Sequence, residues 1–391
     1  MSAVPDVLAP AGLGPITLRN RVIKAATFEG MTPDALVTDE LIEYHRRPAA
    51  GGVGLTTVAY CAVAPEGRTE RRQLWMRPEA VPGLRRLTEA VHAEGAAAAA
   101  QIGHAGPVAD ASSNGLPGLS AGRFFNPLGM RFTRAATAAD IARVTRAHAE
   151  AARLAIEAGF DAVEIHFGHN YLASSFLSPL LNRRTDEYGG GLANRAKVAL
   201  GIARAVREEA GDRIAVTAKL NMRDGVRGGL EVDDSLQVAR WLQDEGLVDA
   251  LELTAGSSLL NPMYLFRGDA PVPEFAANFK QPLNLGIRLF GKRFLRAYPY
   301  EDAFLLEHAR RFRAELDLPL ILLGGITTRA TMDQAMAEGF EFVAMGRALL
   351  REPDLVARIA ADPSTPSLCV HCNRCMPTIY TGTHCPLIPP R

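Results

Sequence analysis

Charge imbalance is the first thing this chain lacks: across 391 residues, Lys plus Arg and Asp plus Glu both number 43. There is no dense basic run to supply a local exception, so nucleic acid is not an expected partner. No apolar run reaches the length that spans a bilayer, and the start, Met1-Ser2-Ala3-Val4-Pro5-Asp6, has no basic stretch ahead of an apolar core. The expectation is a soluble cytoplasmic protein with no membrane partner. Cysteine is scarce too. Five in a chain of this length do not make a disulfide scaffold, and four of them crowd into residues 369–385, where the spacing points to metal chemistry. Low-complexity tracts and linkers between independent domains are also missing. What remains, at 48% hydrophobic content, can bury a large core. Composition alone does not choose between one large α/β barrel and two ordinary domains.

A recurring phrase does choose. Glu157-Ala158-Gly159-Phe160-Asp161-Ala162-Val163-Glu164-Ile165, Glu245-Gly246-Leu247-Val248-Asp249-Ala250-Leu251 and Glu338-Gly339-Phe340-Glu341-Phe342-Val343 each read as a helix stopped by glycine, then a strand apolar on both faces. Comparable strands fit residues 21–26, 53–60, 96–104, 214–221 and 318–326, which makes eight and favours a closed (β/α)8 TIM barrel. Thr137 with Asp140 resembles a capping box, with Ile141, Val144, Ala151 and Ala155 on the inward face of the helix that follows. Asp233 or Asp234 is the expected cap of the helix carrying Leu236, Ala239 and Leu242. Residues 105–136 and 257–300, rich in Gly, Pro, Asn and aromatics, are too long for ordinary barrel loops and are expected to form a lid. The barrel is assigned residues 1–365 and a cysteine-bearing tail residues 366–391.

Two features carry chemistry. Glu164-Ile165-His166-Phe167-Gly168-His169-Asn170-Tyr171 places two imidazoles and a phenol at a strand exit, where the imidazoles can aim at one oxygen and the phenol can lend a proton. Gly324-Gly325 and Gly346-Arg347 fall at the loops after strands seven and eight, where barrels commonly hold phosphate, with Arg347 able to neutralise it. A metal reading of His166 and His169 with Glu164, as in a barrel hydrolase, competes with the first feature. It leaves Gln101 and Lys219 without a role, and Glu164 reads more simply as a buried polar residue.

With these residues, the chain resembles the Old Yellow Enzyme family of FMN-dependent NAD(P)H oxidoreductases along nearly its whole length. Matching stretches include Leu18-Arg19-Asn20-Arg21-Val22, Gln101-Ile102-Gly103-His104, His166-Phe167-Gly168-His169-Asn170-Tyr171, Asn182-Arg183-Arg184-Thr185-Asp186-Glu187-Tyr188-Gly189 and Met345-Gly346-Arg347-Ala348-Leu349. The resemblance implies FMN across the barrel top, with its phosphate toward Gly325, Gly346 and Arg347. It further implies Gln101 on the pyrimidine edge, Ala25, Ala26 and Thr27 under the ring, and Lys219 beside N1, where charge gathers on reduction. Tyr60 stands among these cofactor contacts where a small residue is common, and Phe28 where a hydroxyl or thiol often touches the flavin. His166 and His169 would grip a substrate oxygen and Tyr171 would donate the proton. The implied activity is ene-reduction: hydride passes from NADPH or NADH through flavin N5 to an alkene conjugated to a carbonyl in a small-molecule substrate. A homo-oligomer is compatible with this.

Cys369-x2-Cys372-x2-Cys375 with Cys385-Pro386 is a ligand set suited to one [4Fe–4S] cluster or to zinc. The dienoyl-CoA reductase branch of the family carries a cluster at this place, with three residues where Asn373-Arg374 stand here. That branch underlies the rival redox reading, a dehydrogenase or demethylase passing electrons out through the tail. Cys61 reads as an ordinary buried thiol at a strand end.

Overall fold

A computed structural model describes residues 4–126 and 131–388. Eight parallel strands close into a barrel in which each strand pairs with the next in sequence and the last pairs with the first. They are β1 (Val22–Lys24), β2 (Leu55–Ala62), β3 (Ala97–Gly103), β4 (Ala162–Phe167), β5 (Ala215–Asn221), β6 (Ala250–Thr254), β7 (Leu320–Leu323) and β8 (Phe342–Met345). All eight expected strands are present. The outer ring is α1 (Asp39–Ala50), α2 (Val81–Ala93), α3 (Ala138–Glu157), α4 (Leu192–Ala210), α5 (Val232–Asp244), α6 (Leu306–Glu315), α7 (Arg329–Ala337) and α8 (Leu355–Ala361).

Local chemistry sets the boundaries. Thr137 accepts from the Asp140 backbone N–H and Asp140 reaches back to Thr137, so the capping box starts α3. Gly159, Gly246 and Gly339 follow their helices with φ of 83°, 62° and 85°, a backbone that only glycine adopts cheaply. The cap expected at Asp233 or Asp234 is not one. Glu231 takes the cap position, and the two aspartates in the first turn of α5 pair outward, Asp234 with Arg195 at 2.7 Å and Asp233 with Arg311 at 2.5 Å. The N-terminal end of the barrel is plugged by an antiparallel hairpin, Ala11–Leu13 with Ile16–Leu18, whose apolar side chains pack on Ile23, Leu55, Ala99, Ala162, Ala215, Ile321 and Phe342. With that end sealed, the opposite mouth is where a ligand can reach the barrel interior.

Both long insertions lie over that mouth. Residues 105–136 carry two short strand pairs, Leu119–Ser120 with Arg134–Ala135 and Phe125–Asn126 with Arg131–Phe132. Residues 257–300 carry the short helices Pro262–Phe266, Val272–Ala276 and Leu283–Phe290. The tail closes the third side. Thr383 N–H donates to the Glu29 carbonyl at 2.7 Å, and Asn373 Nδ2 donates to the Arg267 and Asp269 carbonyls at 2.7 and 2.8 Å. Among the described residues, no helix is long and apolar enough to cross a membrane.

Candidate active site

The strand ends, the lid insertions and the tail enclose a cavity of about 380 Å³. Ala25, Ala26 and Thr27 follow β1, Tyr60 and Gln101 sit near the ends of β2 and β3, His166 ends β4 with His169 and Tyr171 on its loop, and Lys219 lies in β5. Gly324, Gly325, Gly346 and Arg347 follow β7 and β8. Every one of them lines that cavity, and so does Cys375 from the tail.

Strand register brings the central charges together. His166 lies opposite Lys219, Lys219 opposite Glu252, and Glu164 opposite Gln101. Lys219 Nζ is 2.5 Å from Glu252 Oε1 and 3.3 Å from Glu164 Oε1, while Gln101 Nε2 donates to the same Glu164 oxygen at 2.6 Å. Burial opposes the ammonium charge, but the two carboxylates outweigh it and hold Lys219 above its ordinary range. Burial and the nearby Glu164 push the Glu252 carboxyl up to about 8, with Lys219 pulling the other way. At neutral pH Lys219 therefore keeps its charge and the Glu252 carboxyl keeps its proton. Glu252 was not anticipated from the sequence. It reads there as an isolated acid in an apolar strand, and only register shows that it meets Lys219.

The histidine pair forms a relay. Gly168 N–H donates to His166 Nδ1 at 3.1 Å, which fixes the proton of a neutral ring on Nε2. His166 Nε2 then donates to His169 Nδ1 at 3.1 Å, and His169 Nε2 to Thr254 Oγ1 at 3.0 Å. The two rings thus address each other rather than one shared acceptor. Burial, then the neighbouring His169 and Lys219, drives His166 well below its usual range; burial followed by Lys219 lowers His169 to about 3. Both rings are neutral at pH 7. The loop that carries them is costly, with His169 and Asn170 at φ of 59° and 60°. Asn221, at the end of β5, holds it by accepting from His169 N–H at 3.2 Å and donating to the Gly256 carbonyl at 2.7 Å. Asn221 and Thr254 are further site residues the sequence reading missed; each is a polar side chain ending an apolar strand, and that was the available signal. Tyr171 lies flat on His166 with ring centroids 4.4 Å apart, and burial raises its phenol, so it keeps its proton. Tyr60 meets Tyr171 edge-on at 5.4 Å.

At the β7–β8 end, Gly324 and Gly325 have φ of 98° and 78°, and a Cβ on Gly325 would come within 2.7 Å of the Ala303 nitrogen. Only glycine fits this turn. A Cβ built on Gly346 meets nothing within 4 Å, so backbone there faces open space. Arg347 spends its guanidinium on the Phe266 carbonyl, the Arg267 carbonyl at 3.1 Å and the Asn373 side chain. Arg347 thereby ties the lid to the tail. The donor set suits FMN: an ammonium and an amide on the β3–β5 side, open glycine backbone at the β7–β8 end, and apolar walls between them.

The four tail thiols are free. Cys385 Sγ lies 4.0 Å from Arg351 Nη1, Cys369 Sγ 3.8 Å from His371 Nδ1, and Cys375 faces the cavity. Burial pushes the Cys375 thiol up to about 12, with Arg347 pulling it back. Among the described residues, no three His, Cys, Asp or Glu side chains stand close enough to hold a metal ion. No such group is found at Cys369, Cys372, Cys375 and Cys385, where the backbone turns through left-handed residues at His371 and Asn373 and Asn373 is anchored to the lid. Nor do His166 and His169 form a metal pair with Glu164, which is committed to Gln101 and Lys219.

A family model described as the NADH:flavin oxidoreductase / NADH oxidase family matches residues 6–258. The chain belongs to this family. It is therefore an NAD(P)H-dependent flavin oxidoreductase of the Old Yellow Enzyme type. A 4,4'-dithiodibutanoate disulfide reductase of Rhodococcus erythropolis is 53% identical over 381 residues, covering 97% of this chain and 94% of that protein. A multifunctional alkene reductase/demethylase OYE of Caballeronia cordobensis is 29% identical over 387 residues, and this chain spans 52% of its length. The fold matches the old yellow enzyme homologue from Zymomonas mobilis with a TM-score of 0.75 at 22% identity, covering 98% of each chain.

Proposed function

We propose that this enzyme uses NADH or NADPH to reduce small organic disulfides at an FMN held over Gln101, Lys219, Gly325 and Gly346. The choice of acceptor is carried by one observation: similarity to a disulfide reductase that runs almost the full length of both chains. FMN, when bound, supplies the hydride equivalent that nicotinamide provides. The chain supplies the rest. The lid and tail cover the cavity, and the neutral His166–His169 relay lines it without adding charge. Lys219 faces the edge where negative charge would gather, and the Glu164 and Glu252 side chains hold that cation in place. Cleaving R–S–S–R to two thiols consumes a hydride equivalent and one proton, and Tyr171 holds that proton on the cavity wall.

A second reading is reduction of an alkene conjugated to a carbonyl. It is favoured by Tyr171, a protonated phenol stacked on His166 in the cavity wall, which can serve as a proton donor there. The two readings separate in one anaerobic experiment. Protein reduced with NADH is mixed with 4,4'-dithiodibutanoate or with 2-cyclohexenone, and flavin reoxidation is followed at its visible band. The disulfide should restore the oxidised spectrum with stoichiometric thiol release. Reoxidation by the enone alone would transfer the assignment to ene-reduction.

A further inference from the structure

The segments around the cavity mouth differ from the rest of the molecule in both hydrophobicity and charge. Among the described residues, every exposed large hydrophobic side chain except Val4 belongs to the two lid insertions or the tail. Residues 105–136, 257–300 and 366–391 together hold eleven Lys or Arg against three Asp or Glu, a formal charge of +8 in a chain whose total is zero, so the remainder carries −8. We propose that this face docks on an anionic lipid surface, with the helix Leu283–Phe290 lying in the interface. The proposal is independent of which acceptor the flavin reduces. The expected absence of a membrane partner rested on the lack of a spanning run, and docking at the surface needs none.

The helix supports it first. Leu285, Leu289 and Phe290 are 52%, 65% and 63% exposed, and no residue of Leu283–Phe290 is buried. One side is fastened by Ile287, which packs on the lid's own small core of Met263, Val272, Phe275, Leu295 and Met376. Leu285 and Leu289, four residues apart, share the other side, and Phe290 extends it. Single exposed hydrophobics are ordinary on a protein surface, but adjacent ones on one face of a helix form a patch that calls for a partner.

Charge decides the occupant. Lys280, Arg288, Lys292, Arg293 and Arg296 lie on or beside the helix, all exposed, and none has a carboxylate partner among the described residues. Exposed arginines on the outer helices are paired instead, Arg204 with Glu245 and Arg310 with Glu338. No acid occurs between Glu274 and Glu301. The first insertion repeats the pattern: the Phe125 and Phe132 rings meet at 5.1 Å, and the exposed Arg123 lies over Phe132 at 4.4 Å. Leu and Phe entering the acyl boundary, with Lys and Arg at the level of anionic headgroups, is how an interfacial helix binds. A second copy meeting this face with its own would set +8 against +8. Nucleic acid would match the charge, but Leu285 and Leu289 offer bases no ring to stack on. Phe279, Phe294 and Leu295 of the same insertion line the cavity, so docking would set the cavity entrance at the bilayer surface.

The test is sedimentation of the FMN-loaded full chain with phosphatidylcholine vesicles, made with or without about one-third phosphatidylglycerol. The anionic vesicles should bind the enzyme about tenfold or more tightly than the neutral ones at low salt, and added salt should weaken that binding. Leu289→Ser with Phe290→Ser, and separately Arg288→Glu with Lys292→Glu, should each lower the partition about tenfold, while flavin reduction by NADH in vesicle-free buffer stays within about twofold of wild type. That rate, with the flavin spectrum, reports folding. No binding to anionic vesicles would overturn the proposal, as would equal binding to both kinds. Loss of binding in the charge variant alone would also overturn it, since adsorption would then leave the apolar face unused. A stable dimer that Leu289→Ser with Phe290→Ser dissociates, in a protein that ignores vesicles, would give the face to a second copy. Preference for an oligonucleotide over anionic vesicles would give it to nucleic acid, and either result overturns the lipid assignment.

Discussion

Glu252→Gln isolates the proton that the Glu252 carboxyl keeps at the base of the site. Lys219 lies between two carboxylates, Glu252 at 2.5 Å and Glu164 at 3.3 Å, all three buried. The Glu252 carboxyl stands at about 8 in the folded protein against an ordinary 4.5. Between those values the folded state keeps a proton that the unfolded chain has released. The contribution to stability is therefore complete below about 4.5 and lost as pH rises through about 8. Each pH unit in that window is worth at most about 1.4 kcal/mol, so the total amounts to a few kcal/mol. Glutamine keeps the volume and removes the second carboxyl, leaving Lys219 with Glu164 alone and nothing to titrate there. Urea unfolding of wild type and variant, compared from about pH 5 to about pH 8.5, should show the variant near or slightly below wild type at the acid end. It should gain on the order of 1–3 kcal/mol relative to wild type by the alkaline end. Other titrating groups, including Glu29, which burial pushes up to about 8, cancel in the difference. Parallel curves, with a difference independent of pH, would refute a Glu252 that keeps its proton into the neutral range.

Other consequences follow from the cavity wall. Tyr171→Phe should slow reoxidation of the reduced flavin by roughly 100-fold or more in stopped flow while leaving its reduction by nicotinamide within a few-fold; equal slowing of both would give Tyr171 another role. His166→Ala with His169→Ala should keep FMN but lose the spectral perturbation that phenolic ligands cause, and an unaltered phenol titration would show that the relay does not meet ligands. Tyr60 packs so closely that a Cβ on Gly103 would lie 2.8 Å from its ring. Tyr60→Ala should therefore admit bulkier phenols about tenfold more tightly relative to phenol itself, and an unchanged ratio of dissociation constants would mean that Tyr60 does not set the pocket's width.

The barrel was legible because its signal is local. A glycine that ends a helix and an apolar run that follows it recur along the chain, and each pairing of helix and strand is decided within about 15 residues. The residues lining the mouth were legible for the same reason, since each sits at a strand end or on the loop after it. What escaped was whatever depends on register between strands. Glu252 and Thr254 are unremarkable in Ala250–Thr254, and only the parallel pairing that sets Glu252 beside Lys219 gives the acid a partner. The relay of His166 through His169 to Thr254 was hidden in the same way, since it joins β4 to β6 across the cavity. The tail differs in kind: cysteine spacing gives the interval along the chain but not the distances between the sulfurs.

Uptake of FMN by flavin-free protein is the most direct test of the central claim. Titration followed by quenching of flavin fluorescence should saturate at one FMN per chain, and Lys219→Met in a folded protein should weaken that binding and destabilise the reduced, anionic form more than the oxidised one. Folded protein that stays colourless and takes up no FMN would contradict the account.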